Sequence, residues 1–150
     1  MPQHFLDSSA LLKRYRKETG SRWMEDLPSN SDRLVVARLA HLEVSSAIVR
    51  RGREPGNSQA EMTEALEILD REMRDVFEVI ELEGTMISRA IELARSHGLR
   101  AADSIQLACA LLSRPGPRMS PEFYLVSADE ELNAAASAEG LQVENPNSHP

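Results

Sequence analysis

Short apolar runs alternate along the chain with longer stretches of helical periodicity. Phe5-Leu6, followed at once by Asp7-Ser8-Ser9, predicts a buried strand that ends at a helix cap. Leu34-Val35-Val36 within 33–37, the run 76–81 and Phe123-Tyr124-Leu125-Val126 predict three more strands, and 141–143 a weak last one. Between them fall helices over 9–17, with Leu11, Leu12 and Tyr15 on the apolar side, and over 21–27, closed by Pro28. Three longer helices follow. In 38–51 the apolar line runs through Leu39, Leu42, Ser46 and Val49, with Ala40, Ala47 and Ile48 beside it. In 58–74 it runs through Met62, Leu66, Leu69 and Met73, and in 85–97 through Ile87, Ala90, Ile91 and Ala94. Gly98 ends that last helix, and the next places Ile105, Ala108, Cys109 and Leu112 on its buried face. A final helix, 130–139, stops at Gly140.

Strands that alternate with helices predict an α/β fold: a parallel sheet covered by helices on both faces. In such sheets ligands bind beyond the carboxyl ends of the strands. The length of 150 residues fits one domain, expected over 1–144, with 145–150 as a loose, flexible tail. The proline-rich stretch 114–121 is expected to be a loop.

Composition narrows the class. Only 4% of residues are aromatic against 41% hydrophobic, so the core must be aliphatic. No apolar run approaches the ~20 residues that span a bilayer, and the first residues do not read as a signal peptide. With one cysteine there is no disulfide framework, and a cytoplasmic location is expected. The net charge of -7 argues against bulk attraction to nucleic acid. Basic residues nevertheless cluster at 13–17, 50–53 and 114–118, either as solvated helix faces or as local anion sites.

The acids are where the chemistry gathers. Asp7 and Asp129 each follow an apolar strand, so two central parallel strands would bring both to one sheet edge. Both also suit helix caps, and Ser127-x-x-Glu130 matches a capping box. Asp103 lies in the first turn of its helix, off the apolar stripe, where an acid is favoured on structural grounds alone. Glu43 is no cap: it sits in mid-helix among Leu39, Ala40 and Ala47, where it needs compensation, such as a salt bridge to Arg50 or Arg14. Two carboxylates ~4 Å apart repel by about 4 kcal/mol at the effective dielectric of protein sites, so a meeting of such acids needs protons or a cation. Oxygen ligands without paired histidines suit Mg²⁺ or Mn²⁺ rather than zinc. His4, His41, His97 and His149 show no metal-ligand spacing, and Cys109 reads as inert core.

The ordered set Phe5-Leu6-Asp7-Ser8-Ser9-Ala10-Leu11, Leu42-Glu43-Val44, Arg100-Ala101-Ala102-Asp103-Ser104-Ile105-Gln106-Leu107-Ala108 and Leu125-Val126-Ser127-Ala128-Asp129 resembles the four acidic motifs of PIN-domain nucleases. It is most similar to the VapC-type toxins of toxin–antitoxin pairs. The resemblance implies a three-layer sandwich around a parallel sheet of about five strands, and an Mg²⁺- or Mn²⁺-dependent endoribonuclease. It implies Asp7, Glu43, Asp103 and Asp129 as catalytic acids, with Asp7, Asp103 and Asp129 holding metal and Glu43 orienting or deprotonating water. Ser9 and Ser127 would orient carboxylates, while Lys13, Arg14 and Arg50 are candidates for RNA phosphates. Gln106 stands where many members carry His. An antitoxin protein and a second copy of the chain are the implied partners, and Leu12, Tyr15, Trp23 and Met24 are candidates for the antitoxin groove. Two rivals are a catalytically silent PIN-type binding module and a receiver-like Mg²⁺-binding signalling domain. The second lacks an acidic pair after the first strand and a lysine after the last ones.

Overall fold

The computed structural model of the chain describes residues 1–116 and 122–150. Five strands form one parallel sheet: β1 (Gln3–Leu6), β2 (Arg33–Ala37), β3 (Glu78–Ile80), β4 (Phe123–Val126) and β5 (Gln142–Glu144), in the order β3-β2-β1-β4-β5. The chain starts in the middle, builds outward through β2 and β3, then crosses back to lay β4 against the free side of β1. Leu6 is in register with both Val36 and Val126, so β1, β2 and β4 end level. This level edge, where the strand order reverses, is the ligand-binding position of a doubly wound sheet.

Alternation along each strand splits the core in two, because successive side chains point to opposite faces. Phe5, Val35 and Leu125 pack on one side with α5 (Gly84–His97), α6 (Ala101–Ser113) and α7 (Glu130–Ala138), through Leu93, Leu107 and Leu132. Leu6, Val36 and Val126 pack on the other with α1 (Ser8–Leu12), α2 (Ser21–Asp26), α3 (Arg38–Gly52) and α4 (Gln59–Asp75), through Leu11, Met24, Val44 and Leu69. Both faces of the central strands are thus dry, which is why they read as unbroken apolar runs. The α/β sandwich expected from the alternation of elements is the one observed.

Several faces differ from the expected ones. Helix α3 buries Ala40, Val44, Ile48 and Gly52, and leaves Leu42 67% exposed. Its inner face ends in a glycine because α4 crosses close by there: a Cβ added at Gly52 would lie 2.4 Å from the Met62 sulfur. Helix α5 buries Met86, Ala90 and Leu93, so Ile87 and Ile91 face outward, as does Leu112 of α6. The first helix is one short turn, not the span 9–17, and Lys13 to Arg16 continue it as turns bonded to Ala10, Leu11 and Leu12 carbonyls. The last residues are not a loose tail. Pro146–Ser148 form a 3₁₀ turn with Pro146 buried, and His149 stacks on Trp23 with centroids 4.4 Å apart while bonding Glu144 at 2.5 Å. Of the expected loop 114–121, residues 117–121 lie outside the described residues.

Candidate active site

The sheet edge collects the acids because each connection leaving it turns straight into a helix. Asp7 directly follows β1 and caps α1, its Oδ1 accepting from Ala10 N at 3.0 Å. Asp129 stands three residues beyond β4 and caps α7, its Oδ1 accepting from Leu132 N at 3.0 Å. The capping and site readings of these two residues are therefore one arrangement: the cap fixes one carboxylate oxygen and aims the group along the sheet edge. Asp103 caps nothing. Arg100 is the N-cap of α6, and the acid stands in the first turn with its side chain 19% exposed. Glu43 comes from the second turn of α3, which starts directly after β2.

Asp7 is the best held. Ser9 Oγ donates to its Oδ1 at 2.7 Å and Ser127 Oγ to its Oδ2 at 2.9 Å. The two serines are in turn oriented by backbone, Ala128 N donating to Ser9 Oγ and Asp129 N to Ser127 Oγ, both at 3.0 Å. Ser9 and Ser127 thus hold both Asp7 oxygens. Asp7 is buried, and burial pushes its carboxyl up to about 6 despite these donors, with the charge of Asp103 adding to the rise. Asp103 is shifted upward as well, by burial and then by Asp129, while Arg100 opposes the rise and Glu43 and Glu131 add to it. Arg100 compensates only weakly: its Nε is 3.7 Å from Asp103 and its side chain is 80% exposed.

Glu43 is not salt-bridged to Arg50 or Arg14. Its Oε1 accepts from Ser8 Oγ at 2.6 Å and from Gln106 Nε2 at 3.0 Å. Both donors lie inside the motif stretches, yet their spacing does not assign them to Glu43. The available signal was a lone amide in the apolar run of α6, three residues after Asp103 and hence on the same face.

The expected phosphate contacts separate. Lys13 is buried, with Nζ on Glu18 at 3.0 Å. Arg14 is ion-paired to Glu72, donates to the Met24 carbonyl at 2.6 Å and lies over the Phe77 ring. Both act inside the fold and not at its mouth. Arg50 is exposed, two turns beyond Glu43 on α3 and so about 10 Å along the axis from it. Met24 is fully buried, which removes it from the expected partner groove, and Trp23 is covered by His149. The histidines are engaged elsewhere: His4 with Ser31, His41 with Asp70, His97 with Glu139 and His149 with Glu144. Cys109 is buried beside Met86, and burial pushes its thiol up to about 11.

Among the described residues no three Asp, Glu, His or Cys side chains already stand as a closed metal cage. The donor chemistry nonetheless fits a hard divalent cation. The edge offers carboxylate oxygens, no thiolate or imidazole, and acids raised by burial and then by one another, which a positive charge would return to the ionised form.

Residues 4–137 match the PIN domain family. The chain is 32% identical over 146 residues to Ribonuclease VapC45 of Mycobacterium tuberculosis (strain CDC 1551 / Oshkosh), covering 95% of each. Its fold is similar to that of PAE2754 from Pyrobaculum aerophilum, with a TM-score of 0.68 at 18% identity, covering 97% of this chain and 85% of that one. A toxin–antitoxin complex from Klebsiella pneumoniae contains a similar chain, with a TM-score of 0.63 at 15% identity over 95% of this chain and 97% of that one.

Proposed function

The chain belongs to the PIN-domain family, and on that premise we propose that it is an Mg²⁺- or Mn²⁺-dependent endoribonuclease, the toxin of a toxin–antitoxin pair acting in the cytoplasm. The observation that carries this reading is the convergence of Asp7, Glu43, Asp103 and Asp129 at one end of the sheet, with the carboxyls of Asp7 and Asp103 both raised. A silent binding module has no need for that crowding, which disfavours the folded state.

Asp7, Asp103 and Asp129 would hold the cation. When bound, it supplies positive charge for the phosphate oxygens and acidifies water nearby. The chain's own residues do the rest. Ser9 and Ser127 keep both Asp7 oxygens in place, and the Leu132 amide does the same for Asp129. Glu43 has one oxygen tied by donors, which leaves Oε2 to orient the attacking water and take its proton. A water nucleophile needs no covalent intermediate. Arg50 is the remaining candidate for a flanking phosphate.

The reading is tested by incubating the purified chain with single-stranded RNA in Mn²⁺. Wild type should cleave, while Asp103→Asn and EDTA-treated wild type should not. An Asp103→Asn protein that cleaves at the wild-type rate would overturn it.

Two partners belong to the same proposal. A cognate antitoxin is supported by the toxin–antitoxin complex among the similar structures. A homodimer is supported by the outward-facing Ile87, Ile91 and Leu112 on adjoining helices α5 and α6. Light scattering of wild type against Ile91→Glu checks the dimer, which the variant should dissociate.

A further inference from the structure

Gln106 Nε2 donates both to Glu43 Oε1 at 3.0 Å and to Ser8 Oγ at 2.9 Å, while Ser8 Oγ itself donates to Glu43 Oε1 at 2.6 Å. The three side chains close a ring. They come from three helices, α1 and α3 on one face of the sheet and α6 on the other. Gln106 is 2% exposed, and its other amide atom, Oε1, is buried with no hydrogen-bond partner among the described residues.

That orphaned oxygen is informative. A buried acceptor without a partner disfavours folding, and an apolar side chain of the same length would avoid the penalty. The amide cannot be reversed to satisfy it, because the carbonyl oxygen would then face the Glu43 carboxylate. Stability alone therefore does not account for an amide here, and what the amide supplies is the donor to Glu43. Both donors fall on the same oxygen, so the ring fixes the carboxylate plane and leaves Oε2 uncommitted.

We infer that Gln106, with Ser8, is a positioning residue that holds the Glu43 carboxylate in the orientation the cleavage reaction uses. The inference rests on the ribonuclease reading above, and specifically on Glu43 acting in that reaction. Gln106 itself touches no reacting atom. Its removal should reduce turnover by letting Glu43 rotate, without weakening the hold on RNA.

The test uses the full chain with a fluorogenic mixed-sequence single-stranded RNA in Mn²⁺, together with thermal melts of each variant. Gln106→Met removes the donor and the orphaned oxygen at nearly constant length. It should lower kcat about tenfold or more, leave KM within about twofold, and leave Tm unchanged or raised. Gln106→His keeps an N–H at about the same distance from the backbone and should restore most of the loss. Ser8→Ala, which leaves the amide in place, should lower kcat less than Gln106→Met does.

The outcomes separate the two layers. RNA left uncut by wild type, or a Glu43→Gln protein as active as wild type, removes the underlying reading. If Glu43→Gln is inactive but Gln106→Met keeps wild-type kcat, only the positioning role fails. It fails equally if Gln106→Met loses Tm together with activity and Gln106→His restores neither.

Discussion

Ser127 Oγ donates to Asp7 Oδ2 at 2.9 Å across 120 positions of sequence, and ties the end of β4 to the end of β1. The bond completes the set of donors on a carboxylate that burial has already destabilised. Ser127→Ala should therefore leave Asp7 short of a partner and cost about 1–3 kcal/mol. Donors to a carboxylate favour its charged form, so this cost is fullest when Asp7 is ionised. Melts should show a larger Tm loss at pH 8 than at pH 4.5, and RNA cleavage should fall with it.

The pH dependence of wild type follows from the same residue. Asp7 titrates near 6 in the folded chain, above the ordinary aspartate value of 3.8. The folded state therefore binds this proton more tightly than the unfolded one, and stability declines as pH rises from about 4 to about 6, then levels off. The shift corresponds to something on the order of 3 kcal/mol. With chelator present, Asp7→Asn should melt above wild type at pH 8 and match it near pH 4, while losing cleavage. Melting below wild type at pH 8 would mean that the raised carboxyl is not a cost to the fold.

How far the sequence discloses this site depends on whether local or distant neighbours decide a position. Asp7 and Asp129 were legible because cap chemistry and strand ends are local signals, and both functions share one geometry. Lys13 and Arg14 misled because the turns after α1 give them partners of their own, Glu18 five residues on from Lys13 and, for Arg14, Glu72 of α4, 58 residues away. The inner face of α3 misled for a related reason. The buried line runs through Ala40, Val44, Ile48 and Gly52, with Gly52 set by the close approach of Met62 from α4, and Leu42 falls on the outer side. Gln106 looked like a neutral departure until its contact with Glu43, 63 residues away, gave it a place.

Arg14 and Arg50 should separate cleanly by mutation. The Arg14–Glu72 pair is 10% and 14% exposed, and removing one member of a buried pair strands the other charge, at about 3 kcal/mol or more. Arg14→Ala should lower Tm by several degrees with KM for RNA unchanged at permissive temperature. Arg50→Ala, at an exposed position, should leave Tm unchanged, raise KM and reduce the salt dependence of RNA binding. Equal effects of the two on KM would return Arg14 to the phosphate contacts.

The acids also bear on how the proposed toxin would be silenced. Asp103 is raised by burial and then by Asp129, Glu43 and Glu131, and Arg100, 80% exposed, opposes the rise from 3.7 Å, so the acids leave negative potential at the sheet edge. Any cation that binds there relieves repulsion and stabilises the folded state by mass action, about 2.7 kcal/mol at a hundredfold excess over Kd. On the proposed reading Mn²⁺ would be one such cation and an Arg or Lys side chain of the antitoxin another, and the two would compete for the same oxygens. Free wild type should therefore gain Tm on addition of Mn²⁺ and lose it to EDTA, whereas Asp103→Asn should respond weakly. In the antitoxin complex the site is already neutralised, so Tm should be insensitive to both reagents, and replacing the inserted cationic residue by Ala should restore Mn²⁺ sensitivity. If the intact complex instead takes up Mn²⁺ with the affinity of the free chain, the antitoxin inhibits from elsewhere on the surface and the cleft remains open to its ion.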